Sequence, residues 1–217
     1  MVKRRRIMEM VRFGSIVSIA ALLTLVSGKA LALPGQTTEE VTAWIQGHPT
    51  LRPSSGEKLL VRKSDTPAQR FIFQASVLPV GKVAPAGDPG VIRHERLALF
   101  DMINGITMTR LEESLRVIYG VDVYQDYERA RVVYAYPTQG AIAQAQNRAT
   151  PLLASLMGEL RLGDRFAYWA EIAQTSAGYA YTGQITVLVK EDLGKLEGEL
   201  RSRVQASLPA SPRSVSR

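Results

Sequence analysis

The residues best equipped for chemistry lie close together between Tyr119 and Tyr136. Five of the eight tyrosines fall there, interleaved with Asp122, Asp126, Glu128, Arg129 and Arg131. A tyrosine ring is apolar with a polar tip, so such a cluster suits a binding surface for a sugar, a peptide or a pigment. Arg129 and Arg131 are two apart; on a strand they share a face and could grip a carboxylate or another anion. The binding candidates are therefore Tyr124, Tyr127, Arg129, Arg131, Tyr134 and Tyr136. A structural explanation competes with this one. Tyrosine favours strands, and mixed charges on a solvated face pair with one another. Asp122, Asp126 and Glu128 carry oxygens of the kind calcium takes, but without the glycine turn and regular spacing of a calcium loop.

The rest of the chain narrows the chemistry by what it lacks. With no cysteine there is no disulfide framework, thiolate zinc site, iron–sulfur cluster or cysteine nucleophile. The two histidines are far apart: His48 at the end of a helix, as a dipole-facing or exposed imidazole, and His94 in a strand, in a surface or salt-bridging role. The chain has no Gly-x-Ser-x-Gly elbow, phosphate-cradling glycine loop, dinucleotide fingerprint or His-Glu-x-x-His helix. No catalytic residue, metal or cofactor is assigned. A carboxylate-dependent hydrolase stays open, because glycosidase acids roughly 5–10 Å apart in space need not be neighbours in sequence. Glu112 and Glu113 have an ordinary reading as solvated acids beside Arg116.

The elements that must position these residues are legible from local pattern. Thr37 and Glu40 form a capping box for a helix over 38–46, with Val41, Trp44 and Ile45 on one face. Runs at 58–63 and 69–78 read as a hairpin with Phe71, Phe73, Ala75 and Val77 on its buried side. A Pro/Gly-rich loop over 79–90 precedes a strand at 91–100. Thr109 and Glu112 cap a helix over 110–119, ended by Gly120. A bent strand is expected over 121–136, a helix over 138–149, and a second helix from Thr150-Pro151 through Leu160. Strands follow at 165–174 and 179–190, then a helix over 191–204. Both Trp44 and Trp169 fall on apolar faces that suit the core. The order predicts one α+β domain over 33–204: a mostly antiparallel sheet of about five to six strands, with helices packed on one face.

The two ends carry different information. Lys3, Arg4, Arg5, Arg6 and Arg12 precede a 14-residue uncharged stretch, Phe13–Val26, and then Ala30-Leu31-Ala32. Basic region, short apolar region and small residues at −3 and −1 are the parts of a secretory signal peptide, with Ala30 and Ala32 marking cleavage. A membrane-crossing helix needs roughly 20 apolar residues, which favours cleavage over retention as an anchor. Arg4-Arg5-Arg6-Ile7-Met8 also fits a twin-arginine pattern, so two export routes are open. The Ser/Pro/Arg-rich segment 205–217 lacks periodicity and reads as a disordered tail.

These ends also explain the formal charge of +7. Removing the five net positive charges of residues 1–32 and the four of residues 201–217 leaves 33–200 at −2. The basic balance therefore gives no support to a nucleic-acid partner.

The leader's Ala-Leu-Ala-Leu-Pro-Gly-Gln, the Val41-Thr42-Ala43-Trp44-Ile45-Gln46 stretch, Arg110-Leu111-Glu112-Glu113-Ser114-Leu115 and Tyr124-Gln125-Asp126-Tyr127 together resemble uncharacterised exported proteins of cyanobacteria. The resemblance covers most of the chain after the leader. It implies a periplasmic or thylakoid-lumen address and carries over no catalytic residue. The expected function is that of an exported, non-catalytic binding or accessory protein for a protein or membrane-associated assembly. The alternative is an extracytoplasmic hydrolase acting on cell-wall glycans.

Overall fold

The computed structural model describes residues 33–81, 90–137, 156–175 and 177–206. The leader, most of the 79–90 loop, the expected 138–149 helix, the Thr150-Pro151 start and most of the tail lie outside the described residues.

Seven antiparallel strands form one open sheet, one more than the upper end of the sequence-based count. They are β1 (Leu60–Thr66), β2 (Gln69–Ser76), β3 (His94–Asp101), β4 (Arg131–Tyr136), β5 (Leu156–Leu162), β6 (Ala167–Gln174) and β7 (Ala180–Leu188). Their order across the sheet is β1-β2-β3-β7-β6-β5-β4. Two meanders thus run inward from opposite edges and join at the β3–β7 seam, registered from His94 opposite Leu188 to Phe100 opposite Thr182. The helices are α1 (Thr38–Gly47), α2 (Met108–Tyr119), α3 (Val121–Arg129) and α4 (Leu193–Ala206).

Strand alternation gives the sheet two buried faces. On the first, α1, α2 and α3 cover a core that includes Val41, Ile45, Leu111, Leu115, Tyr127, Tyr168, Ile172, Ile185 and Val187. On the reverse face, Leu196 and Leu200 of α4 pack on Tyr134, Tyr136, Leu160, Trp169 and Leu188. Helices therefore lie on both faces, which corrects the one-face expectation. Tyr168 and Trp169, adjacent in β6, serve opposite cores. The Arg93 guanidinium grips Asp192 with two bonds of 2.8 and 2.6 Å, tying the turn before α4 to the start of β3.

Two expected elements fold differently. Residues 121–129 are helix, because Gly120 at φ +85° breaks α2 and lets the chain restart at once. Val123, Asp126 and Tyr127 then form its buried stripe at helical spacing. Residues 156–160, expected as helix, belong to strand β5, where Gly158 and Leu160 turn to the reverse face. The capping box at Thr37 and Glu40 forms as expected. On α2 the cap is Thr107, whose side chain accepts from the Arg110 amide, and not Thr109.

Candidate binding surface

The six singled-out residues do not form one surface. Tyr127, on α3, is buried in the first core; its hydroxyl contacts Glu159 at 2.8 Å and Glu112 at 3.1 Å. The Arg161 guanidinium lies 4.5 Å from the ring centre and its Nε donates to Glu159 at 2.6 Å. Burial, followed by the charge of Glu159, raises the Tyr127 pKa far above the ordinary phenol range. Tyr134 and Tyr136 lie across the sheet, buried beneath α4. Tyr124 is half-buried on α3 beside Glu128, which raises its hydroxyl pKa. Only Arg129 and Arg131 are exposed. They flank the junction between α3 and β4, so strand alternation does not govern the pair.

Tyr136 is the hub of a polar cluster that the sequence does not announce. Its hydroxyl donates to Glu171 and accepts from Trp169 Nε1 at 2.8 Å and from Arg203 at 3.0 Å. Arg203 also pairs directly with Glu171, and Gln184 donates to the other carboxylate oxygen at 3.4 Å. Burial, with the Glu171 charge second, pushes the Tyr136 pKa up. The ring needs a strand neighbour without a side chain. A Cβ on Gly158 would meet the Tyr136 hydroxyl and ring and stand 2.8 Å from the Ala170 carbonyl. Gly158→Ala should therefore displace Tyr136 and lower stability by roughly 1–3 kcal/mol, the range for overpacking a well-filled site. A thermal melt beside near-ultraviolet circular dichroism, which reads the Trp169 environment, checks it.

The calcium candidates separate. Asp126 turns inward and accepts from the amides of Asp164 at 2.9 Å, Arg165 at 3.2 Å and Phe166 at 3.3 Å, and from the Tyr168 hydroxyl at 2.6 Å. Asp122 and Glu128 face solvent. Among the described residues no group of three or more His, Cys, Asp or Glu side chains is placed to hold a metal ion. The Glu112 and Glu113 pair also divides: Arg116 binds Glu113, while Glu112 reaches Tyr127.

His48 is half-buried. Its Nδ1 accepts from the Thr50 and Leu51 amides at 3.2 Å each, which leaves Nε2 as the protonated nitrogen donating to the Ile118 carbonyl at 2.9 Å. Burial lowers its pKa. His94, expected at the surface, is half-buried with Nδ1 2.8 Å from the Leu78 carbonyl, and burial lowers its pKa too.

The two sheet edges differ. The outer side of β1 is guarded: Glu57 accepts from the Arg62 amide at 3.0 Å, and Lys63 reaches back to the Thr50 carbonyl. The outer side of β4 has no backbone partner among the described residues. Arg129 and Arg131 have no acidic partner there, and Val132 is exposed beside them. A strand edge without a partner, as this one is among the described residues, offers its N–H and C=O groups to a further strand.

Three exposed apolar side chains had no signal in the hydrophobic pattern: Met102 and Ile103 after β3, and Tyr179 in the β6–β7 turn. No described helix is long and apolar enough to cross a membrane. No family model, curated protein or solved structure matches the chain.

Proposed function

We propose that this is an exported binding protein of the periplasm or thylakoid lumen, without catalysis of its own, which takes an extended acidic segment of a protein partner along β4. The observation that carries the reading is that, among the described residues, the outer edge of Arg131–Tyr136 has no partner strand and Arg129 and Arg131 have no acidic partner. Strand addition draws affinity from main-chain hydrogen bonds. The two guanidinium groups add charge-assisted bonds to carboxylates on the incoming segment.

The test combines address and affinity. Amino-terminal sequencing of the fractionated native protein should begin at Leu33. A tagged exported chain should copurify its partner, and hydrogen exchange at 131–136 should slow in the complex. Arg129→Glu with Arg131→Glu should weaken binding by about tenfold or more, the scale of one or two lost charge-assisted bonds. Both side chains are exposed, so Tm should stay within a few degrees. Lost stability with unchanged binding would overturn the proposal.

The hydrolase reading draws on one arrangement, the meeting of Glu112 and Glu159 at the Tyr127 hydroxyl. If those acids act on a glycan, Glu112→Gln should abolish turnover of a cell-wall preparation without changing Tm.

A further inference from the structure

The segment between β3 and α2 is built to hold two large apolar side chains out in water. Asp101, buried at the end of β3, accepts from the Ile103 and Asn104 amides at 2.9 Å each. It also accepts from Asn104 Nδ2 at 3.2 Å, Gln69 Nε2 at 3.1 Å and the Arg110 guanidinium at 2.7 Å. These donors, led by the Asn104 amide, hold its carboxyl well below the usual carboxylate range. The Met102 amide donates to the Ala68 carbonyl at 2.9 Å, and the Ile106 amide to the Ala180 carbonyl at 2.7 Å. The last bond sets the loop beside the turn that carries Tyr179. With this anchoring, Met102 stands 58% exposed, Ile103 65% and Tyr179 65%.

Cations border this tip. A recess of about 120 Å³ is lined by Lys63, Arg70 and Arg110, with Asp65 and Asp101 as its acids. Arg110 is one of the five donors to Asp101, so that pair cancels and Lys63 and Arg70 face Asp65. Arg70 is exposed and lies 4.3 Å from the centre of the Phe100 ring, without an acidic partner among the described residues.

We propose that this end of the sheet docks on an anionic phospholipid bilayer. Met102, Ile103 and Tyr179 enter the interface, while Arg70 and Lys63 meet the headgroup phosphates and Arg110 stays paired with Asp101. A protein partner fits the tip less well. A stable protein interface covers roughly 800 Å² per partner, with a polar rim around a packed centre. Three projecting side chains beside the Arg70 guanidinium and the Lys63 ammonium match a surface that yields around them and carries negative charge. Tyrosine suits the boundary between headgroup and chain.

The absence of cysteine makes a site-specific test direct. Ile103→Cys, labelled with an environment-sensitive dye in the full chain, should shift to shorter wavelength on vesicles of phosphatidylglycerol and phosphatidylcholine. Val117→Cys, exposed on α2 beside the paired Arg116 and Glu113 and labelled the same way, should not shift, which separates the tip from general adsorption and from the leader. Vesicles of phosphatidylcholine alone should give a much smaller change at 103. Arg70→Glu in the labelled Ile103→Cys chain should weaken the response about tenfold, given about 1 kcal/mol per basic residue near an anionic surface. No shift at 103, an equal shift at 117, or an unchanged response in Arg70→Glu would overturn the proposal. So would inorganic phosphate at millimolar concentration shifting the label as vesicles do, since the recess would then bind the free ion.

Discussion

Replacing Asp126 with alanine is expected to destabilise the protein by roughly 3–5 kcal/mol, the range for breaking a buried, hydrogen-bonded charge network. At about 2–4 °C per kcal/mol for a chain of this size, Tm should fall by roughly 6–20 °C. The size follows from what the carboxylate does. Successive amides of residues 164, 165 and 166 point at it, and the Tyr168 hydroxyl closes the set. Backbone N–H groups so arranged form a concave anion site, and here the anion is the protein's own side chain. The approach is close: a Cβ on Gly163 would strike the Asp126 carboxylate. Alanine would leave buried donors without partners and free the β5–β6 turn from α3. Tyr168→Phe removes one donor only and should cost about 1 kcal/mol. Thermal melts of both variants check the comparison. Should Asp126→Ala melt within two or three degrees of the parent, the turn does not depend on this carboxylate.

The same aspartate explains why α3 was hard to see. Val123, Asp126 and Tyr127 have helical spacing, but an acid in the buried stripe hides the apolar period, and valine and tyrosine favour strands. The capping box at Thr37 was legible because both partners are local. The same motif misled at Thr109. Local chemistry cannot choose between threonines two apart, and the choice fell to the face that places Leu111, Leu115 and Ile118 in the core. Segment 156–162 fits both periods, since Leu156 and Leu160 share a helix face and a strand face alike; pairing with β4 and β6 decided it. The Tyr/Arg segment was legible as unusual, but not that a sheet passes between Tyr127 and Tyr136. Side-chain type locates polar clusters, whereas topology decides which are spent on the fold and which face outward.

Glu95 should contribute a loss of stability as pH rises from about 4.5 toward 8. It sits on β3 in the first face of the sheet, fully buried, with neither carboxylate oxygen hydrogen-bonded. Burial carries its pKa from 4.5 to about 8, and the Tyr119 hydroxyl near it is also buried and makes no hydrogen bond. Across that window the unfolded chain has released the proton and the folded chain has kept it. Raising the pH therefore favours unfolding. The contribution is whole below the unfolded value and is lost as pH climbs through the folded one, a change on the order of 4 kcal/mol at 1.36 kcal/mol per unit. Glu95→Met keeps a similar volume and removes the titration. Its Tm advantage over the parent should grow by roughly 10 °C between pH 4.5 and pH 8. His48 and His94, whose pKa values burial lowers, act with the opposite sign and destabilise on the acid side of their ordinary range. Both proteins share that limb, so the difference between the two pH profiles isolates Glu95. Parallel profiles would mean that this carboxyl ionises in the folded state as it does in water, and that the core around Tyr119 admits solvent.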